Sequence, residues 1–253
     1  MLDTHAKVGS TVIQVITSFN QHYWDLIGRD SVESWLRYWS KDFQLVCYVE
    51  GFRLKNVDSR IRQIDFDQLD PDYRLFQTED RHDSIKRFAK KAYSIMHAMH
   101  HSQSRWVIWL DADVITQQAI GWDQWRPLLK KHYLATYMGV WYDTDKSGNP
   151  GRWLVPESGV FAVNRAHQHF PAFRDEYCRR YHDRDSSGLR RFYDNDVLGA
   201  AIQHVPQAAY NDICRDFAKP YKTPLRHTVL GPYLHHYKAK HSKAFYNQAT
   251  EDQ

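Results

Sequence analysis

The sequence predicts a single α/β domain built on a mostly parallel, twisted sheet flanked by helices, and three observations predict it. First, residues 11–16 alternate with β-branched side chains, residues 30–39 carry Val32, Trp35, Leu36 and Trp39 at helical spacing, and residues 43–49 are apolar. Strand, helix, strand at that spacing is a βαβ unit, whose strands lie parallel. Second, the apolar run Trp106-Val107-Ile108-Trp109-Leu110 has the composition of a strand buried on both faces. Third, 253 residues with 42% hydrophobic and 25% charged content suit one large soluble domain, and no long linker divides the chain.

The elements follow in order. The first strand, 11–16, runs into a polar loop at Thr17-Ser18-Phe19-Asn20, and Asp30 or Ser31 caps the first helix. The second strand ends at Glu50-Gly51, and a short strand at 61–64 lies within a charged, irregular stretch from 53 to 78. Asp83 opens a long helix with Ile85, Phe88, Ala92, Ile95, Met96 and Met99 on one stripe and Lys86, Arg87 and Lys90 opposite. After the 106–110 strand, residues 122–132 read as helix, 133–141 as strand, and 142–153 as a turn-rich loop. Glu157-Ser158-Gly159 precedes an apolar strand at 160–164; residues 167–181 are helical in pattern, and Asp194-Asn195-Asp196 opens a short helix over 197–204.

Composition narrows the function classes. Cys47, Cys178 and Cys214 lie far apart with no CxxC pair, which disfavours a local cysteine zinc site and a disulfide framework. Residues 1–10 lack the apolar core of a secretory signal, and no stretch approaches the ~20 apolar residues of a membrane span. The expected location is the cytoplasm, that of the host cell if the protein is viral. Net charge is only +4, yet residues 217–250 hold no Asp or Glu and include Lys219, Lys222, Arg226, Lys238, Lys240 and Lys243 with interleaved aromatics. Such a segment seeks an anion: a diphosphate, a nucleic-acid backbone or an acidic surface.

The most informative motif is Asp111-Ala112-Asp113. Side chains at i and i+2 leave a strand on one side, so both acids face one point at the carboxyl end of the 106–110 strand, where open α/β sheets place ligands. Two adjacent carboxylates repel unless a hard divalent ion sits between them. The cluster His97, His100 and His101 ends an amphipathic helix and reads as a polar helix end. No GxSxG, P-loop, HExxH or GxGxxG occurs.

Four features occur in order: the first strand ending in Thr17-Ser18-Phe19-Asn20, Asp111-Ala112-Asp113, Glu157-Ser158-Gly159-Val160-Phe161-Ala162-Val163-Asn164, and Tyr193-Asp194-Asn195-Asp196-Val197-Leu198, followed by His235-His236-Tyr237-Lys238 and Lys243. This order resembles the GT-A class of nucleotide-sugar glycosyltransferases, with a Rossmann-like sheet. It is most similar to the branch that includes glycogenin and the lipopolysaccharide galactosyltransferases. Compact viral-type transferases that glucosylate DNA bases share the layout. The resemblance implies a UDP-sugar donor and Mn2+ (or Mg2+), with Asp111 and Asp113 on the metal and His236, or its rival His235, as the late ligand. The family's His-x-x-Gly-x-x-Lys has Ala239 in place of its glycine and Lys243 one position late, so Lys238 and Lys240 stand beside Lys243 as the diphosphate cation.

Further roles follow from the same resemblance. Thr17 and Ser18 would meet base and ribose, and Arg87 and Lys91 would reach the donor. Asn195 would lie near the anomeric carbon, and Asp194 would hold sugar hydroxyls or act as a base. The alternative for Asp194 and Asn195 is a helix cap. Glu157 is the other candidate acid, able to take the acceptor's proton. Residues 10–115 would form the donor half, 116–216 the acceptor side and 217–253 a basic C-terminal segment. The acceptor would be a hydroxymethylpyrimidine in DNA, with Arg179, Arg180, Arg190 and Arg191 on phosphates, or a saccharide such as lipopolysaccharide, or a protein or small metabolite. A nucleotide-sugar or nucleic-acid binding protein without catalysis, and a metal-dependent nucleotidyltransferase, are the competing functions.

Overall fold

A computed structural model describes residues 12–55, 57–144, 150–214 and 224–237. The chain opens with β1 (Ile13–Asn20), whose end is set by Asn20: its side chain accepts from the Tyr23 amide at 2.9 Å and starts the short α1 (Gln21–Tyr23). A π-helical turn (Trp24–Gly28) leads into α2 (Arg29–Tyr38), which buries Val32 and Trp35. β2 (Phe43–Glu50) and β3 (Ile61–Asp65) follow, then a 3-10 turn (Phe66–Gln68), α3 (Asp72–Thr78) and the long α4 (Asp83–His101). β4 (Trp106–Leu110) is buried at every residue, as its unbroken apolar run requires. The acidic triplet separates it from β5 (Val114–Thr116).

Beyond the acids come α5 (Trp122–Trp125), β6 (Tyr133–Met138), the hairpin strands β7 (Trp141–Thr144) and β8 (Pro150–Leu154), and β9 (Glu157–Asn164). α6 (Phe170–His182) and α7 (Asp194–His204) precede β10 (Ala209–Asp212); a 3-10 turn (Pro224–His227) and β11 (Leu234–His236) end the described chain. The central sheet has seven strands in the order β10-β6-β9-β4-β1-β2-β3. β3, β2, β1 and β4 run parallel, β9 runs antiparallel to both neighbours, and β6 pairs β10 in parallel. One face packs α4, α6 and α7 around Trp109, Tyr93, Phe173 and Tyr177; the other packs α2 and the Trp35-Trp39-Trp125 group. Among the described residues no helix is long and apolar enough to cross a membrane.

The mostly parallel α/β architecture agrees with the sequence reading, and four local expectations are corrected. Thr17 to Asn20 is not a loop but the last half of β1. The helix expected over 122–132 stops at Trp125, because Pro127 has no amide to donate. The expected loop at 142–153 contributes an antiparallel hairpin, with Trp141 opposite Leu154 and Tyr142 opposite Trp153. The strand after the 157–159 triplet begins at Glu157 itself.

Candidate active site

The acids converge by a turn rather than by strand alternation. β4 ends at Leu110, the Val114 amide donates to the Asp111 carbonyl at 3.0 Å, and the Asp111 amide is fixed by the Gly159 carbonyl of β9 at 2.8 Å. β11 then pairs antiparallel with β5, His236 opposite Val114, and the Tyr237 amide donates to the Asp113 carbonyl at 3.0 Å. That register carries His236 more than a hundred residues back to the acids. Its Nε2 lies 3.1 Å from Asp113 and 3.7 Å from Asp111, and one ligand atom from each of the three residues falls within 4.8 Å of the others. Among the described residues this is the group able to hold a metal ion. Two carboxylate oxygens and an imidazole nitrogen suit Mn2+, and the oxygens suit Mg2+.

The other side of His236 is also fixed. Nδ1 sits 3.3 Å from Glu157, the carboxylate behind the histidine that orients it. Gly159 makes the room: a Cβ there would lie 2.6 Å from two atoms of the imidazole ring. Burial pulls the His236 pKa down, but hydrogen bonds to Asp113 and Glu157 more than reverse this and carry it to about 10. The imidazolium thus supplies positive charge between the acids.

Lys91, only 8% exposed, supplies the second counter-charge. Its Nζ donates to Asp111 at 2.7 Å and to the Ser158 carbonyl at 2.6 Å, and lies 3.0 Å from Asp194. Burial opposes its charge, and the two carboxylates outweigh burial and raise its pKa. Asp111 shows the opposite balance: burial raises its pKa against the pull of Lys91 and His236. Trp109, two residues before Asp111 and on the same side of the strand, donates its indole N–H to Asp111 at 2.6 Å. Ser158 donates its hydroxyl to Asp194 at 2.7 Å.

Lys91, Trp109, Asp111, Asp113, Ser158 and Asp194 form one end of a cleft of about 740 Å³, with His236 and Glu157 behind the acids. Ser18 and Asn20 line it from the end of β1, Tyr23 from α1, His82 from just before α4, and Lys86, Arg87 and Lys90 from α4. Lys90 is paired with Glu50 at 2.5 Å, whereas the Arg87 guanidinium is exposed beside Phe88.

The expected site residues therefore divide. Asp111, Asp113, His236, Glu157, Lys91 and Asp194 meet in one cluster; Ser18 and Arg87 line the same cleft. Thr17 does not. It is buried on the opposite face of β1, against Ser31, Val32 and Trp35, because neighbours along a strand point to opposite faces. Asn195 turns its side-chain oxygen onto the Asp196 amide at 3.0 Å, and the cap of α7 is Tyr193 rather than either acid or amide. His235 faces Tyr237, leaving His236 on the acids. Lys238, Lys240 and Lys243 lie outside the described residues. Trp109, Asn20 and Tyr23 are members to which the sequence reading gave no role. Of these, Trp109 carried a signal, since it shares the strand face of Asp111.

No family model matches the chain, and no curated protein matches it. Solved structures do. The bifunctional glycosyltransferase WbbM, in its apo form, aligns with a TM-score of 0.51 at 13% identity, covering 77% of this chain and 38% of that one. The apo glycosyltransferase GlyE of Streptococcus pneumoniae TIGR4 aligns at 0.50 and 11%, covering 80% and 45%. The galactosyltransferase LgtC, in complex with donor and acceptor sugar analogs, aligns at 0.52 and 14%, covering 94% of each chain. The chain spans less than half of the first two and nearly all of the third. At these identities the likeness is one of fold: the chain has the GT-A, Rossmann-like fold.

Proposed function

We propose that the protein is a glycosyltransferase that moves a sugar from a UDP-sugar to an acceptor hydroxyl, with Mn2+ or Mg2+ held by Asp111, Asp113 and His236. The observation that carries this reading is the convergence of those three residues at the acidic end of a cleft whose α4 wall is basic. When bound, a divalent cation supplies charge neutralisation for the departing nucleoside diphosphate. Residues 10–115 then hold the donor, and 116–216 face the acceptor.

The chain's own groups have distinct tasks. Ser18 receives the nucleoside and Arg87 the diphosphate, bidentately if its planar fork is used. Lys91 fixes Asp194 and Asp111 in register. Asp194, with Ser158 beside it, accepts hydrogen bonds from sugar hydroxyls. Glu157 orients His236 and so acts through it. In the transfer, the bond from C1 of the sugar to the diphosphate oxygen breaks and its electron pair leaves with the diphosphate. A bond from the acceptor oxygen to C1 forms, and the hydroxyl proton passes to Asp194 or to the departing diphosphate.

A DNA acceptor loses support at the arginines expected to meet phosphates. Arg179 and Arg180 are engaged by Glu176 and Asp185, and Arg191 faces Asp196 at 3.7 Å. The test is UDP release from a panel of UDP-sugars with Mn2+, with Asp113→Ala as control. Metal-dependent release from at least one donor, lost in the variant, is the expected result. Equal release by Asp113→Ala, or none from any donor, contradicts the reading.

A further inference from the structure

The β7–β8 hairpin stands apart from the central sheet, yet its base is locked to the active site. The Val155 amide donates to the Val140 carbonyl at 2.8 Å, and Glu157 follows Leu154 by three residues. From the other side α7 abuts the hairpin at Gly199, where a Cβ would lie 1.8 Å from the Leu154 carbonyl oxygen. Only a glycine lets the helix that begins at Asp194 approach so closely. Hairpin, Glu157 and Asp194 are therefore one packed unit.

The surface of that unit is aromatic and cationic. Trp141 is 40% exposed, and the Arg152 guanidinium lies over its ring, 4.4 Å from the centroid. Arg190, from the segment before α7, lies over the Tyr142 ring at 3.9 Å. Among the described residues no ion pair holds Arg152, whereas the charge of Arg190 is also felt by the buried Asp196 carboxylate. A guanidinium over a ring can turn its edge N–H groups to a planar anion; Arg152 is exposed to do so, whereas the Nε of Arg190 is buried. An exposed indole offers a flat apolar face with room for one sugar ring.

We propose that this surface is the acceptor subsite and that the acceptor is an anionic saccharide. One pyranose ring stacks on Trp141, and a carboxylate or phosphate on the sugar pairs with Arg152. The inference rests on the glycosyl-transfer reading and names the substrate class that reading leaves open. A nucleic-acid strand fits less well. It needs successive stacking faces along a continuous basic groove, and here one ring is exposed while Arg179 and Arg180 are held by acids.

The full chain is titrated with trigalacturonic acid and with a phosphorylated maltose, with neutral maltotriose and a short single-stranded oligodeoxynucleotide for comparison. Binding is followed by saturation-transfer NMR, and UDP with Mn2+ is titrated into the same sample. One of the two anionic saccharides is expected to bind, revealing whether carboxylate or phosphate is preferred. Maltotriose, and either anionic ligand with Trp141→Ala or Arg152→Gln, should bind about tenfold more weakly, with melting curves unchanged at these exposed positions. Equal binding of maltotriose, binding that survives both substitutions, tighter binding of the oligonucleotide, or no saccharide binding overturns the proposal. If UDP binds with Mn2+ while no saccharide does, the donor reading stands and this one falls. Saccharide binding without UDP binding overturns the acceptor role.

Discussion

At the acidic end of the cleft every charged group is buried or half-buried, and held. Asp111 takes bonds from Lys91 and Trp109, Asp194 takes one from Ser158, and His236 lies between Asp113 and Glu157. On the α4 wall Arg87 is exposed, with its guanidinium over the Phe88 ring. Solvated cations cost the fold little, whereas buried acids are tolerated only with counter-charges in place. The comparison teaches where ligand binding changes the energetics most. A cation entering the acidic end takes over the role of the His236 proton, while an anion meeting the basic wall gains a contact without relieving any strain.

The largest test removes the buried counter-charge. Lys91→Ala leaves Asp194 without its ion-pair partner and Asp111 with His236 alone, and should lower metal-free stability by about 3–5 kcal/mol, measured by urea unfolding. Added Mn2+ should recover part of that loss. A cost comparable to that of a surface substitution would mean that the acids do not depend on Lys91.

A second test extends the contrast to Asp196, 3% exposed, with neither carboxylate oxygen bonded by a side chain and with Arg191 at 3.7 Å, Asp194 and Arg190 as its charged neighbours. Burial raises its pKa from the ordinary 3.8 to about 6. Between those values the folded protein holds a proton that the unfolded chain has released. Its contribution to stability therefore falls as pH rises through that window, by about 3 kcal/mol at ~1.4 kcal/mol per pKa unit. The difference in unfolding free energy between wild type and Asp196→Asn, followed from pH 4 to pH 7, should show this slope. A difference that does not vary with pH would contradict it.

Gly159→Ala sharpens the acidic side alone. The added methyl meets the His236 ring, and Mn2+ affinity by electron paramagnetic resonance should drop by about 10- to 100-fold. The smallest effect belongs to the basic wall. Arg87→Gln should weaken UDP binding by about tenfold or less, and the loss should shrink as salt is raised.

What the sequence revealed follows the same division. The acidic pair was legible because an unbroken apolar strand running into two carboxylates is uncommon outside ligand sites, whereas Lys91 came from the family likeness, as a cation of the helix before it. Its burial was not legible, because a lysine at the edge of an apolar stripe, beside Phe88 and Ile95, ordinarily turns its ammonium to water. His236 came from family likeness alone: a three-residue strand such as β11 has no periodicity to read, and only its pairing with β5 brings the histidine to Asp113. Thr17 was misplaced because polar residues at the end of β1 look like a loop, although the strand continues and turns Thr17 inward. The hairpin was hidden by the turn residues Ser147, Gly148, Asn149, Pro150 and Gly151.

The central claim is that Asp111, Asp113 and His236 form a divalent-cation site serving a nucleoside diphosphate. The most direct measurement is calorimetric titration of UDP into wild type and Asp113→Ala, each with and without Mn2+. The account predicts that UDP binds the wild type with Mn2+, binds much more weakly without it, and gains nothing from Mn2+ in the variant. UDP binding that is equally tight with and without Mn2+, or that Mn2+ strengthens equally in Asp113→Ala, would contradict it.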